Sequence, residues 1–219
     1  WASGFVNMAY FVWYLHADKA VITQNLGKLE RYIAFNERIY NKSKGLANFA
    51  GGCINGWITL GKKPSCNLMT GFAYVNDYRV MSQMTSAIGS PAAARYASIY
   101  ASRLKEFHQV FFNRNTSSYG HGTQSELAMA LWLGAPPTTA IQTAVAANLV
   151  QQIEELIHST ANFTSTSATG HDDINFVGGV GLVYLFEALA RAGHMETALR
   201  LALKTSYPSY GYMFYNDLE

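Results

Sequence analysis

The sequence predicts an all-α fold: an incomplete αα-toroid of about eight helices in four hairpins, with residues 1–219 forming part of one domain. Three observations lead there. Apolar residues recur at helical spacing almost throughout, and the alternation of a half-buried strand is nearly absent. The breaks between helical stretches alternate between tight turns marked by Gly or Pro and long polar loops. A length of 219 residues supports one large core.

The first helix is expected from about Ser3 to His16. Asp18 is a good N-cap for the second, which runs to about Ile39 and sets Val21, Ile22, Leu26, Leu29 and Ile33 on one face. The third spans about Leu68 to Ile88 and ends at Gly89. Ser90-Pro91 opens the fourth with an N-cap and a first-turn proline, and that helix continues to about Phe112. The fifth, about Thr123 to Leu133, stops at Gly134, and Pro136-Pro137 lead into a sixth that reaches His158. The seventh, Val177 to Ala192, stops at Gly193, and His194 to Lys204 makes the eighth. Trp13 and Trp132 lie inside helices with apolar neighbours and are assigned to the core.

The connections at Ala17-Asp18, Gly89-Ser90, Gly134 to Pro137 and Gly193 are short, so they make antiparallel hairpins. The connections 41–67, 113–122 and 159–176 and the tail 205–219 are long. Short turns at one end and long loops at the other describe a toroid or a solenoid. Irregular turn spacing and the lack of a sequence repeat favour the toroid. In a toroid the long loops gather at one mouth, where binding and catalysis usually sit. The chain starts at Trp1 without an initiator Met and stops at Glu219 in mid-pattern, so it is read as truncated at both ends. The remaining parts of the same polypeptide are then its first partners.

Charged residues make up only 14% of the chain, well below the usual share of about a quarter. Helix faces so poor in charge are covered by neighbours, or belong to a compartment that favours neutral polar residues. A net charge of +2 without a Lys/Arg cluster gives no field to attract nucleic acid or an anionic membrane. The longest apolar stretch, Phe176 to Ala190, is broken by glycines and Glu187 and falls short of the roughly 18 residues of a membrane span. No nucleic-acid or membrane partner is expected. The sequence contains no G-x-S-x-G, P-loop or H-E-x-x-H, and no G-x-G-x-x-G after a strand. No cofactor and no metal site is expected.

Cys53 and Cys66 lie thirteen residues apart in one polar, Gly-rich loop. They read either as two free thiols or as a staple; we take the staple, closing a loop around Trp57. N-x-S/T sequons at Asn41, Asn115 and Asn162 all fall in expected loops. Together with the cysteine pair they point to a secreted or extracellular-surface glycoprotein. Trp57 follows Gly51-Gly52-Cys53-Ile54-Asn55-Gly56, and an indole in such a loop is suited to stacking on the C–H face of a sugar. The blander reading is a plug at the toroid's rim. Trp1, at the head of the first helix, has the same two readings. Asp172-Asp173 after His171 are the only adjacent acids in a long loop, and are read as solvated residues capping the seventh helix.

The C-terminal third carries a resemblance. The run from Phe176 through Gly178-Gly179 and Gly181 to Gly193, then Glu196 to Leu203, then Tyr207-Pro-Ser-Tyr-Gly-Tyr-Met213, resembles the end of the catalytic domain of α-L-rhamnosidases. That family shows a G-x-x-G helix start, a leucine-rich hairpin and Y-P-S-W-G-Y-M. Gln124 to Gly134 is similar to its T-Q-T-x-x-A-L-x-L helix. Asn55-Gly56-Trp57 matches its G-D-W loop at the Trp, and Trp1 with Ser3 is similar to its A-W-G-D/S helix start.

The resemblance implies an (α/α)6 barrel and inverting hydrolysis of a terminal α-L-rhamnosyl bond without a cofactor, on a rhamnoside-type glycan. It implies that Trp1 and Trp57 bind the sugar. It places no catalytic residue within the chain: the general acid belongs to a motif upstream of Trp1. The base is the Glu of A-T-T-x-W-E, downstream of Glu219, since six residues follow Met213 without reaching that motif. Gly56 stands where the family has Asp. That departure favours the alternative, a non-catalytic homologue acting as an extracellular structural or sugar-binding protein. A terpenoid-cyclase toroid would need repeated aromatic-Gln motifs, which the sequence lacks.

Overall fold

The computed structural model describes residues 3–49, 53, 60–158, 175–176, 179–207 and 209–216. Among the described residues there are nine α-helices: α1 (Gly4–His16), α2 (Ala20–Ser43), α3 (Cys66–Ala87), α4 (Ala93–Phe111), α5 (Gln124–Leu133), α6 (Thr139–His158), α7 (Gly179–Arg191), α8 (Met195–Leu203) and α9 (Tyr210–Tyr215). Two two-residue ladders accompany them: β1 (Leu60–Gly61) pairs antiparallel with β4 (Asn175–Phe176), and β2 (Phe112–Asn113) with β3 (Ser118–Tyr119).

The short turns form for local reasons. Asp18 Oδ1 accepts the Ala20 N–H at 2.8 Å, holding the first amide of α2. After α5, Ala135 N–H bonds back to Ala130 O at 2.9 Å, and after α7, His194 N–H bonds to Leu189 O at 2.8 Å. This bond across six residues requires a left-handed residue just past the helix, and Gly134 (φ 76°) and Gly193 (φ 84°) supply it without a Cβ penalty. The α3–α4 turn closes with the same bond, Ser90 N–H to Thr85 O at 2.9 Å.

The chain divides into two compact units, Trp1–Gly52 with Asn67–Phe111, and Cys53–Cys66 with Phe112–Glu219. In the first, α1 packs along α2. Polar bonds join odd helix to odd and even to even, beside others that run between α2 and α3: Asn76 Nδ2 on α3 donates to Asn7 Oδ1 on α1 at 3.0 Å, and Tyr40 Oη on α2 to Glu106 Oε2 on α4 at 2.6 Å. In the second, α5 packs on α6 and α7, and α8 on α7 and α6. Each unit is therefore two helical hairpins side by side, with an odd-numbered layer and an even-numbered layer. The layers differ as their sequences require. Leu68, Phe72, Val75, Val80, Met81 and Met84 bury α3 on nearly every side, and Leu127 to Leu131 do the same for α5. In α2, by contrast, only Ile22, Leu29 and Ile33 are buried, one stripe of a helix with an otherwise wet surface.

Several expectations needed correction. The tail after α8 contains α9, whose first amides are satisfied when Ser209 Oγ accepts the Tyr212 N–H at 2.9 Å. The ladder between β1 and β4 joins two long loops, and strands of two residues leave no alternation for a sequence to display. Neither Trp13 nor Trp132 is a core residue; both are half-buried. The Trp132 indole N–H donates to the Glu187 carboxylate, and the Arg191 guanidinium lies 5.8 Å from the centre of its ring. An indole with a polar tip sits naturally at such a margin.

Candidate functional site

Among the described residues two carboxylates are wholly buried, Asp77 in the first unit and Glu126 in the second. In the first unit Asp77 stands in the middle of α3, the one acid in a helix that is otherwise largely apolar. Its Oδ2 accepts from Ser3 Oγ (3.1 Å) on the turn before α1 and from Tyr32 Oη (3.3 Å) on α2, with Asn36 Nδ2 at 3.5 Å. Its Oδ1 has no hydrogen-bond partner among the described residues. Burial pushes the carboxyl up to about 7, against hydrogen bonds from Ser3 and Tyr32 that pull it down. A polar seam continues along the α1–α3 contact. Asn7 Nδ2 donates to Ser3 O at 2.8 Å, Arg79 Nε to Asn76 Oδ1 at 2.8 Å, and the Arg79 guanidinium lies 5.6 Å from the Tyr10 ring centre.

A second cluster in the same unit ties α2, α3 and α4. Glu37 Oε2 accepts from Tyr74 Oη and Tyr78 Oη, each at 2.5 Å, and Oε1 from Arg103 at 3.1 Å. Burial alone would raise the Glu37 carboxyl, but the two phenols and the arginine charge hold it below the usual carboxylate range. Arg103 lies 3.8 Å over the Tyr40 ring. Glu106 Oε1 accepts the Leu46 N–H at 2.8 Å, anchoring the start of the loop after α2.

In the second unit Glu126 is completely buried at the first turn of α5. Thr123 and Glu126 form a reciprocal capping box. Glu126 goes further: Oε2 also accepts His121 N–H at 3.0 Å, and Oε1 accepts Ser65 N–H at 2.7 Å. His121 Nδ1 lies 3.0 Å from Lys63 O. Cys66, next to Ser65, is bridged to Cys53 with the Cα atoms 5.5 Å apart. At the far end of the unit, Lys204 is buried, its ammonium bonded to Ser206 O (2.5 Å), Ser206 Oγ (2.6 Å) and Tyr207 O (3.3 Å). Those bonds fold the first residues of the Y-P-S-Y-G-Y-M stretch back on the end of α8.

The motif residues of the sequence divide accordingly. Asn41 and Asn115 are exposed, the first in the last turn of α2 rather than in a loop, the second in the β2–β3 turn. Trp1, Trp57, Asn162, Asp172-Asp173 and Glu219 lie outside the described residues. Among the described residues no group of three or more His, Cys, Asp and Glu side chains is placed to hold a metal, and no helix is long and apolar enough to cross a membrane. Asp77 and Glu37 were missed by sequence reasoning. Glu126 had a signal, the T-x-x-E spacing from Thr123 that marks a capping box.

The profile of the bacterial α-L-rhamnosidase six-hairpin glycosidase domain matches residues 1–217. The chain belongs to that family. Its helices are part of a six-hairpin glycosidase domain. Solved structures agree on the fold. The α-L-rhamnosidase of Dictyoglumus thermophilum superimposes with a TM-score of 0.78 at 20% identity, over 99% of this chain and 23% of that one. The Streptomyces avermitilis α-L-rhamnosidase, complexed with L-rhamnose, gives 0.74 at 20% identity over 91% of this chain and 17% of that one. The native Aspergillus terreus α-L-rhamnosidase gives 0.73 at 15% identity, over 99% and 24%. The chain thus spans less than a quarter of each of these relatives. No curated protein sequence matches it.

Proposed function

We propose that this chain supplies the sugar-binding part of an inverting α-L-rhamnosidase that cleaves terminal α-L-rhamnosyl residues. The match of the six-hairpin glycosidase family over residues 1–217 carries the reading. Trp1 and Trp57 are assigned to the sugar, each offering an indole face to the C–H surface of the pyranose. An inverting mechanism needs an acid to protonate the leaving oxygen and a base to activate water, about 6.5–9.5 Å apart. Both are assigned to the polypeptide on either side of residues 1–219. Asp77, Glu37 and Glu126 are committed to helix contacts and are not offered for either role. The Cys53–Cys66 bridge and the exposed Asn41 and Asn115 support a secreted or cell-surface location with glycans at the sequons.

The test is the full-length protein on an aryl α-L-rhamnoside, with the anomer of the released sugar followed by NMR. Release of inverted L-rhamnose, lost or strongly weakened in Trp57→Ala at unchanged thermal stability, is the expected result. A second reading rests on Gly56, which stands where the family has Asp. A non-catalytic homologue would bind L-rhamnose with an affinity that depends on Trp57 and turn over no rhamnoside at all.

A further inference from the structure

Building on the sugar-binding reading, we propose that Glu126 is a positioning residue that fixes the base of the loop closed by Cys53 and Cys66. Its surroundings exceed what a helix cap needs. A capping box asks the residue three positions into the helix to accept one backbone N–H, and Gln serves there as well as Glu. Glu126 instead uses both oxygens: Oε2 takes Thr123 N–H (3.0 Å), Thr123 Oγ (2.8 Å) and His121 N–H (3.0 Å), while Oε1 takes Ser65 N–H (2.7 Å). A glutamine has an acceptor at one end only. With its oxygen on the Thr123 side it would turn an NH2 toward the Ser65 N–H, donor against donor. Full acceptance at both ends requires a carboxylate, and the end a glutamine would forfeit is the one that reaches the loop.

The loop's return strand is tied to the rest of the second unit at several points in a short run. Leu60 and Gly61 pair with Phe176 and Asn175. Lys63 O meets His121 Nδ1, Ser65 N–H meets Glu126, and Cys66 is bridged to Cys53. His121 is itself held by Glu126 through its backbone N–H. Glu126 therefore secures two adjacent anchors of the loop, one directly and one through His121. The disulfide closes the ring covalently but says nothing about where its base rests; Glu126 supplies that reference. In the sequence, Trp57 lies between the two cysteines. Holding the base of a binding loop in place before the ligand arrives lowers the cost of ordering the loop on binding.

The experiment uses the full-length protein, with L-rhamnose as the probe and affinity read by calorimetry beside the melting temperature. Glu126→Gln keeps the capping box and drops the Ser65 bond. Its L-rhamnose affinity should fall roughly tenfold with little change in melting temperature, and proteolytic nicking between Cys53 and Cys66 should accelerate. Joint Cys53→Ser and Cys66→Ser replacement should weaken binding more in that background than in wild type. Should Glu126→Gln not fold, Ser65→Pro removes the same N–H from the loop side, leaves the α5 cap intact and should weaken binding to the same degree. Wild-type affinity in either variant, with affinity lost in Trp57→Ala, would overturn the role of Glu126 and leave the sugar-binding reading standing. Wild-type affinity in Trp57→Ala would overturn the reading itself.

Discussion

Ser3 Oγ, on the turn that opens α1, donates to Asp77 Oδ2 at 3.1 Å, so a carboxylate in the middle of α3 fixes the start of another helix. That carboxylate is fully buried and its second oxygen is left without a partner among the described residues. Both facts favour the protonated acid, and the carboxyl is pushed up to about 7. The folded protein then holds a proton that the unfolded chain has released above pH ~4. Stability contributed at Asp77 is therefore greatest below pH ~4 and declines, by at most about 1.4 kcal/mol per pH unit, as pH rises toward 7. Asp77→Asn, neutral throughout, should melt higher than wild type at pH 8 and lose that advantage by pH 4. Parallel melting curves across this range would show that Asp77 is ionised in the fold.

The opposite sign holds at Glu37, whose carboxyl is kept low by Tyr74, Tyr78 and Arg103 despite its burial. Its contribution is present at neutral pH and disappears as pH falls below the ordinary carboxylate range. Tyr78→Phe removes one donor at 2.5 Å from a charged acceptor, which should cost about 1.5–3 kcal/mol in urea unfolding at pH 7. The penalty should shrink in acid, where a protonated Glu37 no longer needs two phenol donors. A cost that is equal at pH 7 and pH 3 would mean that packing of the ring, not the hydrogen bond, is what Tyr78 contributes.

How far the sequence could be read depended on the range of the forces involved. All eight expected helices formed, and the turns at Gly89, Gly134 and Gly193 fell where expected, because glycines and apolar stripes act within a few residues. Helix ends moved by a few positions: α2 continues to Ser43 and α3 starts at Cys66. The links between helices were not legible. Asp77 receives its bonds from Ser3 and Tyr32, 74 and 45 positions away, and no local pattern announces such a partner. A lone acid in the largely buried α3 was a clue that something must satisfy it, though not what. Glu126 was half legible. Its capping role follows from Thr123, whereas its hold on Ser65 spans 61 positions.

The Y-P-S-Y-G-Y-M stretch contains a glycine with no freedom to change. A Cβ on Gly211 would stand 2.5 Å from Lys204 O and 3.2 Å from Thr205 Cα, both backbone atoms that cannot swing aside. Gly211→Ala should therefore push α9 off the end of α8 and cost about 1–3 kcal/mol. Protease susceptibility after Lys204 would rise with it. Wild-type stability in that variant would mean that α9 docks more loosely than its contact distance implies.

The last prediction concerns residues 1–219 produced alone. On α1, Phe5 is 45% exposed, Met8 65% and Leu15 69%; on α8, Met195, Leu199 and Leu203 are all more than half exposed. These side chains recur at helical spacing, so each helix presents an apolar stripe rather than scattered residues. The family domain is built of six hairpins, and the described residues supply four, α1–α2, α3–α4, α5–α6 and α7–α8. On the function proposed above, both stripes would meet further helices of the same polypeptide. Leaving one large apolar side chain in water forfeits about 1.5–3 kcal/mol, and half a dozen together rival the 5–15 kcal/mol that holds a typical domain. Expressed alone, residues 1–219 should therefore aggregate or bind a hydrophobic dye, melt far below the full-length protein and release no rhamnose. Co-expression with the flanking polypeptide should restore a cooperative melt. A monomeric, dye-negative and cooperatively folding 1–219 would show that the stripes need no cover.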